Sequence, residues 1–212
     1  MRGLLQDSYG LDPSDVEWHT GPIEAGPEAP MYHPPKPDDF DRRVALHVIT
    51  PGKTLAAMLA DGEIDAVMSN RPPACFVAGH PLIGRLFKDW AAAERAYFAA
   101  TGVFPIMHVL GVRGRLIDDY QWLPMRLFEA FDHAKQIAAA ELSQTQSLAV
   151  MLPWLAEAVA ETKGLMGENY WPYGITQNRT ALQTLMRYAV EQGLCSHPLS
   201  LAQLFDVSTL AT

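Results

Sequence analysis

Apolar and polar positions along the chain fall into segments with different periods, separated by clusters of Pro, Gly and acidic residues. MRGLLQDSYG at the start has the composition of a helix end. Leu4 and Leu5 are its apolar positions and Gly10 is a natural left-handed stop, but no Ser, Thr, Asp or Asn precedes it as an N-cap. The helix is therefore expected to begin further upstream than Met1. Residues 11–42 show neither a period of 2 nor one of 3.6, so they are expected to form a long connection with one short strand near residues 16–19.

A β-α-β pattern follows, with RVALHVI as a strand, residues 54–60 as a helix and DAVMSN as a second strand, which predicts a parallel crossover sheet. Residues 81–100 have helical composition. TGVFPIMHVLGVRGRLI is expected to be extended, with a turn around Gly111 to Gly114. Three further helices are expected at residues 124–142, 148–163 and 180–192, the last ended by Gly193. In the first of these, Leu127, Phe128, Phe131 and Ala134 share a face, while Glu129, Asp132 and Lys135 are placed toward solvent. Strands alternating with helices put the chain in the α/β class, where ligands bind at the carboxyl ends of strands or between lobes.

Composition narrows the function classes. With 212 residues and 49% hydrophobic content the chain can bury a core, and no apolar run approaches the roughly 20 residues that span a bilayer. The net charge of -8 gives no basic footprint for nucleic acid or an anionic membrane, so neither is expected as a partner. Cys75 and Cys195 have no zinc-ligand spacing and are expected to be buried filler. No Schiff-base lysine context or glycine-rich phosphate loop is apparent, so no cofactor or metal is expected.

Four segments, RGLLQDSYG (2–10), LADGEIDAV (59–67), TGVFPIMH (101–108) and MGENYWPYGITQNRTAL (166–182), together resemble the 4,5-dihydroxyphthalate decarboxylase family, and the likeness extends to EQGL at 191–194. FPIMH followed by WPYG and NR is far more specific than GEIDA, which many two-lobed binding proteins carry. The chain departs from the family pattern at Asn169, where an acidic residue is expected. The resemblance implies a two-lobed α/β fold of the type 2 periplasmic-binding-protein kind, with mixed sheets flanked by helices. Residues 1–100 would belong to the second lobe, and residues 101–212 would supply a hinge-crossing strand and a helical part returning toward the first lobe. It also implies an upstream portion of the first lobe, a cytoplasmic location and decarboxylation of a small aromatic dicarboxylate to protocatechuate. The rival function is a non-catalytic solute-binding protein for a small organic anion. A homo-oligomer stays open.

That chemistry requires a base for a catechol proton, an acid for the ring carbon and cations for the retained carboxylate. Arg71, just after DAVMSN, has the guanidinium fork that matches a carboxylate, with Asn70 beside it; a solvated loop arginine is the bland alternative. His108 suits acid-base work, although a lone His on an apolar segment is often structural. Trp171, Tyr173, Asn178 and Arg179 lie in or just after an irregular loop fixed by Pro172 and Gly174. There Trp171 can face a catechol ring, Tyr173 can exchange a proton, and Asn178 or Arg179 can hold an oxygen. Asn178 alternatively caps the following helix.

Overall fold

The computed structural model describes residues 1–26 and 46–212. The described chain is mixed α and β, with a small parallel sheet among mostly helical elements. It divides into two compact units, Met1–Trp90 with Tyr188–Ser196, and Ala91–Arg187 with His197–Thr212.

The first unit opens with α1 (Arg2–Tyr9), which ends where Gly10 takes φ 69° and its N–H reaches the Gln6 carbonyl at 3.0 Å. This is the left-handed stop expected from the sequence. Gly3 lets α1 approach Tyr188 closely: a Cβ there would lie 2.3 Å from the Tyr188 ring. A 3₁₀ turn (Pro13–Asp15) is capped by the Asp12 carboxylate and leads into β1 (Trp18–Thr20), which pairs in parallel with β2 (Leu46–Val48). The register sets His19 against His47, and both Nε2 atoms lie near one Glu17 carboxylate oxygen, at 3.3 and 3.5 Å.

α2 (Leu55–Ala60) starts as expected, with the Thr54 hydroxyl accepting from the Ala57 N–H at 3.2 Å. The short α3 (Ala74–Val77) packs against it. Leu5, Ile49, Ala56, Met58 and Ala189 form the buried apolar positions of this unit.

Two expectations fail in this unit. DAVMSN is an irregular, mostly exposed segment, so the parallel partner of β2 is β1. Its short apolar run made DAVMSN strand-like, but a strand needs a ladder partner and this segment has none among the described residues. Cys75 and Cys195 are half-buried thiols, not fully buried filler. Residues 27–45, which include much of the expected connection and the start of RVALHVI, lie outside the described residues.

The second unit holds nearly all of α4 (Trp90–Thr101), then α5 (Gly114–Asp119), α6 (Leu123–Leu142), α7 (Leu155–Met166), most of α8 (Arg179–Glu191) and α9 (Leu201–Leu204). Gly102, at φ 66°, ends α4. Residues 102–113 form no ladder and the end of the expected strand is α5, so this stretch is a correction too. Pro124 sits in the first turn of α6, where its missing N–H costs nothing. Gly193, at φ 69°, follows α8 as its sequence position suggested. Val103, Ile175 and Leu182 are buried here.

The face of α6 also differs from expectation. Phe131 is 51% exposed, whereas Asp132 and Lys135 are half-buried. The apolar stripe was real, but in this unit the Asp132–Lys135 side meets the loop that precedes α8.

Candidate functional site

The loop between α7 and α8 is held in place from three directions. Gly167, at φ 90°, ends α7, and the Lys163 ammonium meets the Glu168 carboxylate at 2.9 Å. Asn178 then donates its amide to the carbonyls of Pro172 and Gly174, both at 2.9 Å, while its own carbonyl accepts the Leu182 N–H of α8. Its side-chain nitrogen therefore pins the loop. Finally, the Thr212 carbonyl accepts the N–H groups of Ile175 and Thr176 at 3.0 and 2.6 Å. Gly174 has φ 86°, and a Cβ there would meet Thr212 at 2.8 Å, so glycine is needed for conformation and for space.

Trp171 and Tyr173 project from this braced loop. The Trp171 ring meets Phe104 edge-on with centroids 5.4 Å apart, so FPIMH and WPYG, the two most distinctive segments of the sequence, touch. His108 lies four residues beyond Phe104 in the same extended segment and is exposed. Tyr173 is 38% exposed, and its hydroxyl has no hydrogen-bond partner among the described residues. Under its ring sits the Lys135 ammonium, 4.9 Å from the centroid.

Lys135 is itself tightly held. Its side chain is only 13% exposed, and its ammonium donates to Asp132 Oδ1 at 2.6 Å and to Asn169 Oδ1 at 3.3 Å. Asn169 in turn donates to Gln177 at 2.9 Å. The hydrogen bond from Lys135 holds the Asp132 carboxyl below the usual carboxylate range, and a bond from Gln136 adds to this.

Arg179 opens α8 and is exposed; Asn70, the last residue of DAVMSN, and Arg71 after it lie in an exposed bend, where the Arg71 N–H bonds to Ser69 Oγ at 3.1 Å. Arg71 has no ion pair among the described residues, which leaves its guanidinium available for an anion. Of the residues singled out from sequence, His108, Trp171, Tyr173, Asn178 and Arg179 thus belong to the second unit, while Asn70 and Arg71 belong to the first. Among the described residues, no group of three or more His, Cys, Asp or Glu is placed to hold a metal ion, and no helix is long and apolar enough to cross a membrane.

No protein-family model matches the chain. It is 35% identical over 210 residues to a 4,5-dihydroxyphthalate decarboxylase of Comamonas testosteroni, a match that takes in 99% of this chain and 62% of that protein. Over nearly its whole length the chain is thus similar to a 4,5-dihydroxyphthalate decarboxylase. A protein of the same name from Pseudomonas putida is 34% identical over 100 residues, 47% of this chain and 37% of the relative. The chain therefore spans under two thirds of the length of the Comamonas relative.

Phe104 and Lys135 do not stand out in the sequence as neighbours of the WPYG loop. Phe104 lies inside TGVFPIMH, where His108 carries the more obvious chemistry. For Lys135 the Asp132–Lys135 spacing of three was a usable hint of an ion pair. Which side of α6 faces the loop between α7 and α8 was not written in the helix alone.

Proposed function

We propose that this chain acts in a carboxy-lyase reaction that removes one carboxylate from 4,5-dihydroxyphthalate, or from a closely related hydroxylated aromatic acid, yielding protocatechuate from the former. The observation that carries this reading is the match to a 4,5-dihydroxyphthalate decarboxylase across 99% of the chain. Contact between Phe104 and Trp171 supports it, because it brings the two distinctive segments together.

The reaction needs no redox partner. A base takes the proton of the hydroxyl para to the departing carboxylate, and electron density moves through the ring to the carbon bearing that carboxylate. An acid protonates this carbon, the carbon–carboxylate bond breaks, and its electrons restore the aromatic ring as CO2 leaves. One proton is consumed at carbon for each CO2 released.

His108 and Tyr173 are the proposed acid-base pair, with Trp171 facing the ring. Arg179 and Arg71 are the proposed carboxylate partners, and Asn70 and the Oδ1 of Asn178 are neutral partners for substrate oxygens. The reading includes a two-lobed fold of the type 2 periplasmic-binding-protein kind and a cytoplasmic location.

Incubation of the purified protein with 4,5-dihydroxyphthalate tests the proposal. Protocatechuate and CO2 are expected in equal amounts. Tight binding with the dicarboxylate recovered intact would instead favour a solute-binding role.

A further inference from the structure

The ammonium beneath Tyr173 has a specific architecture around it. Lys135 reaches the ring from α6 and is almost fully covered along its side chain. Asp132, one turn earlier on α6, and Asn169, in the loop that carries Tyr173, take two of its three N–H donors. Gln177 holds Asn169 from the far end of the same loop. The ammonium is thereby fixed on both sides of the gap between helix and loop. Tyr173 is 38% exposed, and its hydroxyl has no partner among the described residues.

A surface ion pair alone would not require this arrangement. Arg126–Glu129 on the same helix, also three residues apart, leaves its arginine side chain 71% exposed and engages no loop. The Asp132 charge balances Lys135, so the ammonium is a poor general anion site. Its free interaction is with the ring face, where a cation favours electron density that builds on the ring as the hydroxyl gives up its proton.

We propose that Lys135 is a positioning residue for Tyr173: anchored by Asp132 and Asn169, it fixes the ring so that the hydroxyl meets a phenolic oxygen of a catechol-type ligand. This rests on the proposed function and adds to it a residue that orients the proton-transfer group. The ligand class is a catechol carboxylate, bound through Tyr173 at a ring oxygen.

Calorimetric titration of the full chain with protocatechuate tests the inference without requiring turnover. Tyr173→Phe removes the hydroxyl and is expected to weaken binding about 3- to 10-fold, the range for one lost neutral hydrogen bond. Lys135→Met should weaken it by a similar factor. The double variant should be no weaker than either single one, because Lys135 acts through the hydroxyl. Lys135→Arg keeps a cation over the ring and should stay within about 3-fold of the parent. Circular dichroism and thermal melting of each variant identify any loss of folding, and Lys135→Gln, which retains hydrogen bonding to Asp132, replaces Lys135→Met if that protein does not fold.

Parent-like binding by the folded Lys135 variant, additive losses in the double variant, or no binding of protocatechuate by the parent would each overturn the inference. Turnover of 4,5-dihydroxyphthalate is measured separately. Coupled binding without turnover would refute decarboxylation and leave the Lys135 role standing, whereas turnover without coupling would do the reverse.

Discussion

Asn178 spends both amide hydrogens on the loop that precedes it, and in doing so sets where Trp171 and Tyr173 stand. The sequence offered two roles for it, and its amide is committed to shaping the loop. His108 is different, since it is exposed and its replacement removes no buried side chain. His108→Gln should therefore leave the denaturant midpoint almost unchanged while lowering decarboxylation about 10² to 10⁴-fold, the usual loss for a positioned acid-base group. A parent-like rate in the folded variant would make His108 a bystander. Asp132 carries a pH dependence of its own. Lys135 depresses its pKa in the folded state, so its contribution to stability is present above the unfolded value of about 4 and is lost as pH falls through the lower folded value. Urea unfolding from about pH 5 to about pH 2 should show a decline that Asp132→Asn reduces; identical pH profiles for both proteins would contradict the assignment. FPIMH and WPYG stand out in the sequence because they are distinctive, while the Lys135–Tyr173 contact does not, because it depends on the rotation of one helix.

Glycine stops at helix ends were the most legible features. Gly10 and Gly193 both take left-handed φ, because this role is set by local backbone chemistry, whereas the starts of α4 and α7 lie later than expected, at Trp90 and Leu155. Strands were less legible. DAVMSN and FPIMHV each carry a short apolar run of strand-like composition, yet an apolar run does not supply a hydrogen-bonding partner. The exposed face of α6 is a similar case: Leu127 and Phe128 are half-buried, but Phe131 and Ile137 on the continuation of the apolar stripe are about half exposed. Glycine positions give a test with opposite signs within helices. Gly3→Ala would press a methyl into the Tyr188 ring, which is held by its hydrogen bond to Asp7, and should destabilise by about 1–3 kcal/mol. Gly164→Ala in α7 meets nothing within 4 Å and should stabilise by about 0.5–1 kcal/mol. Urea unfolding of the two variants checks both signs, and stabilisation by Gly3→Ala would contradict the close approach of α1 to Tyr188.

At the scale of the whole molecule the net charge is -8, so an anionic substrate requires local cations that overcome the general field. Arg71 and Arg179 are the exposed arginines proposed for that task. In calorimetric titration with phthalate, Arg71→Ala and Arg179→Ala should each lower affinity roughly 10-fold or more, and Arg71→Lys should lose part of it because an ammonium does not reproduce the guanidinium fork. Unchanged affinity in both alanine variants would remove the carboxylate assignment. The α/β class was legible from the mixture of periods, while the division near Trp90 depends on long-range packing that periodicity does not encode. The central claim is protonation of the ring carbon with loss of CO2, and turnover of 4,5-dihydroxyphthalate in D2O followed by mass and proton NMR analysis of the product tests it most directly. The account predicts protocatechuate carrying one carbon-bound deuterium at the vacated position, formed in step with CO2; recovery of unchanged dicarboxylate, or of product without deuterium at that carbon, would contradict it.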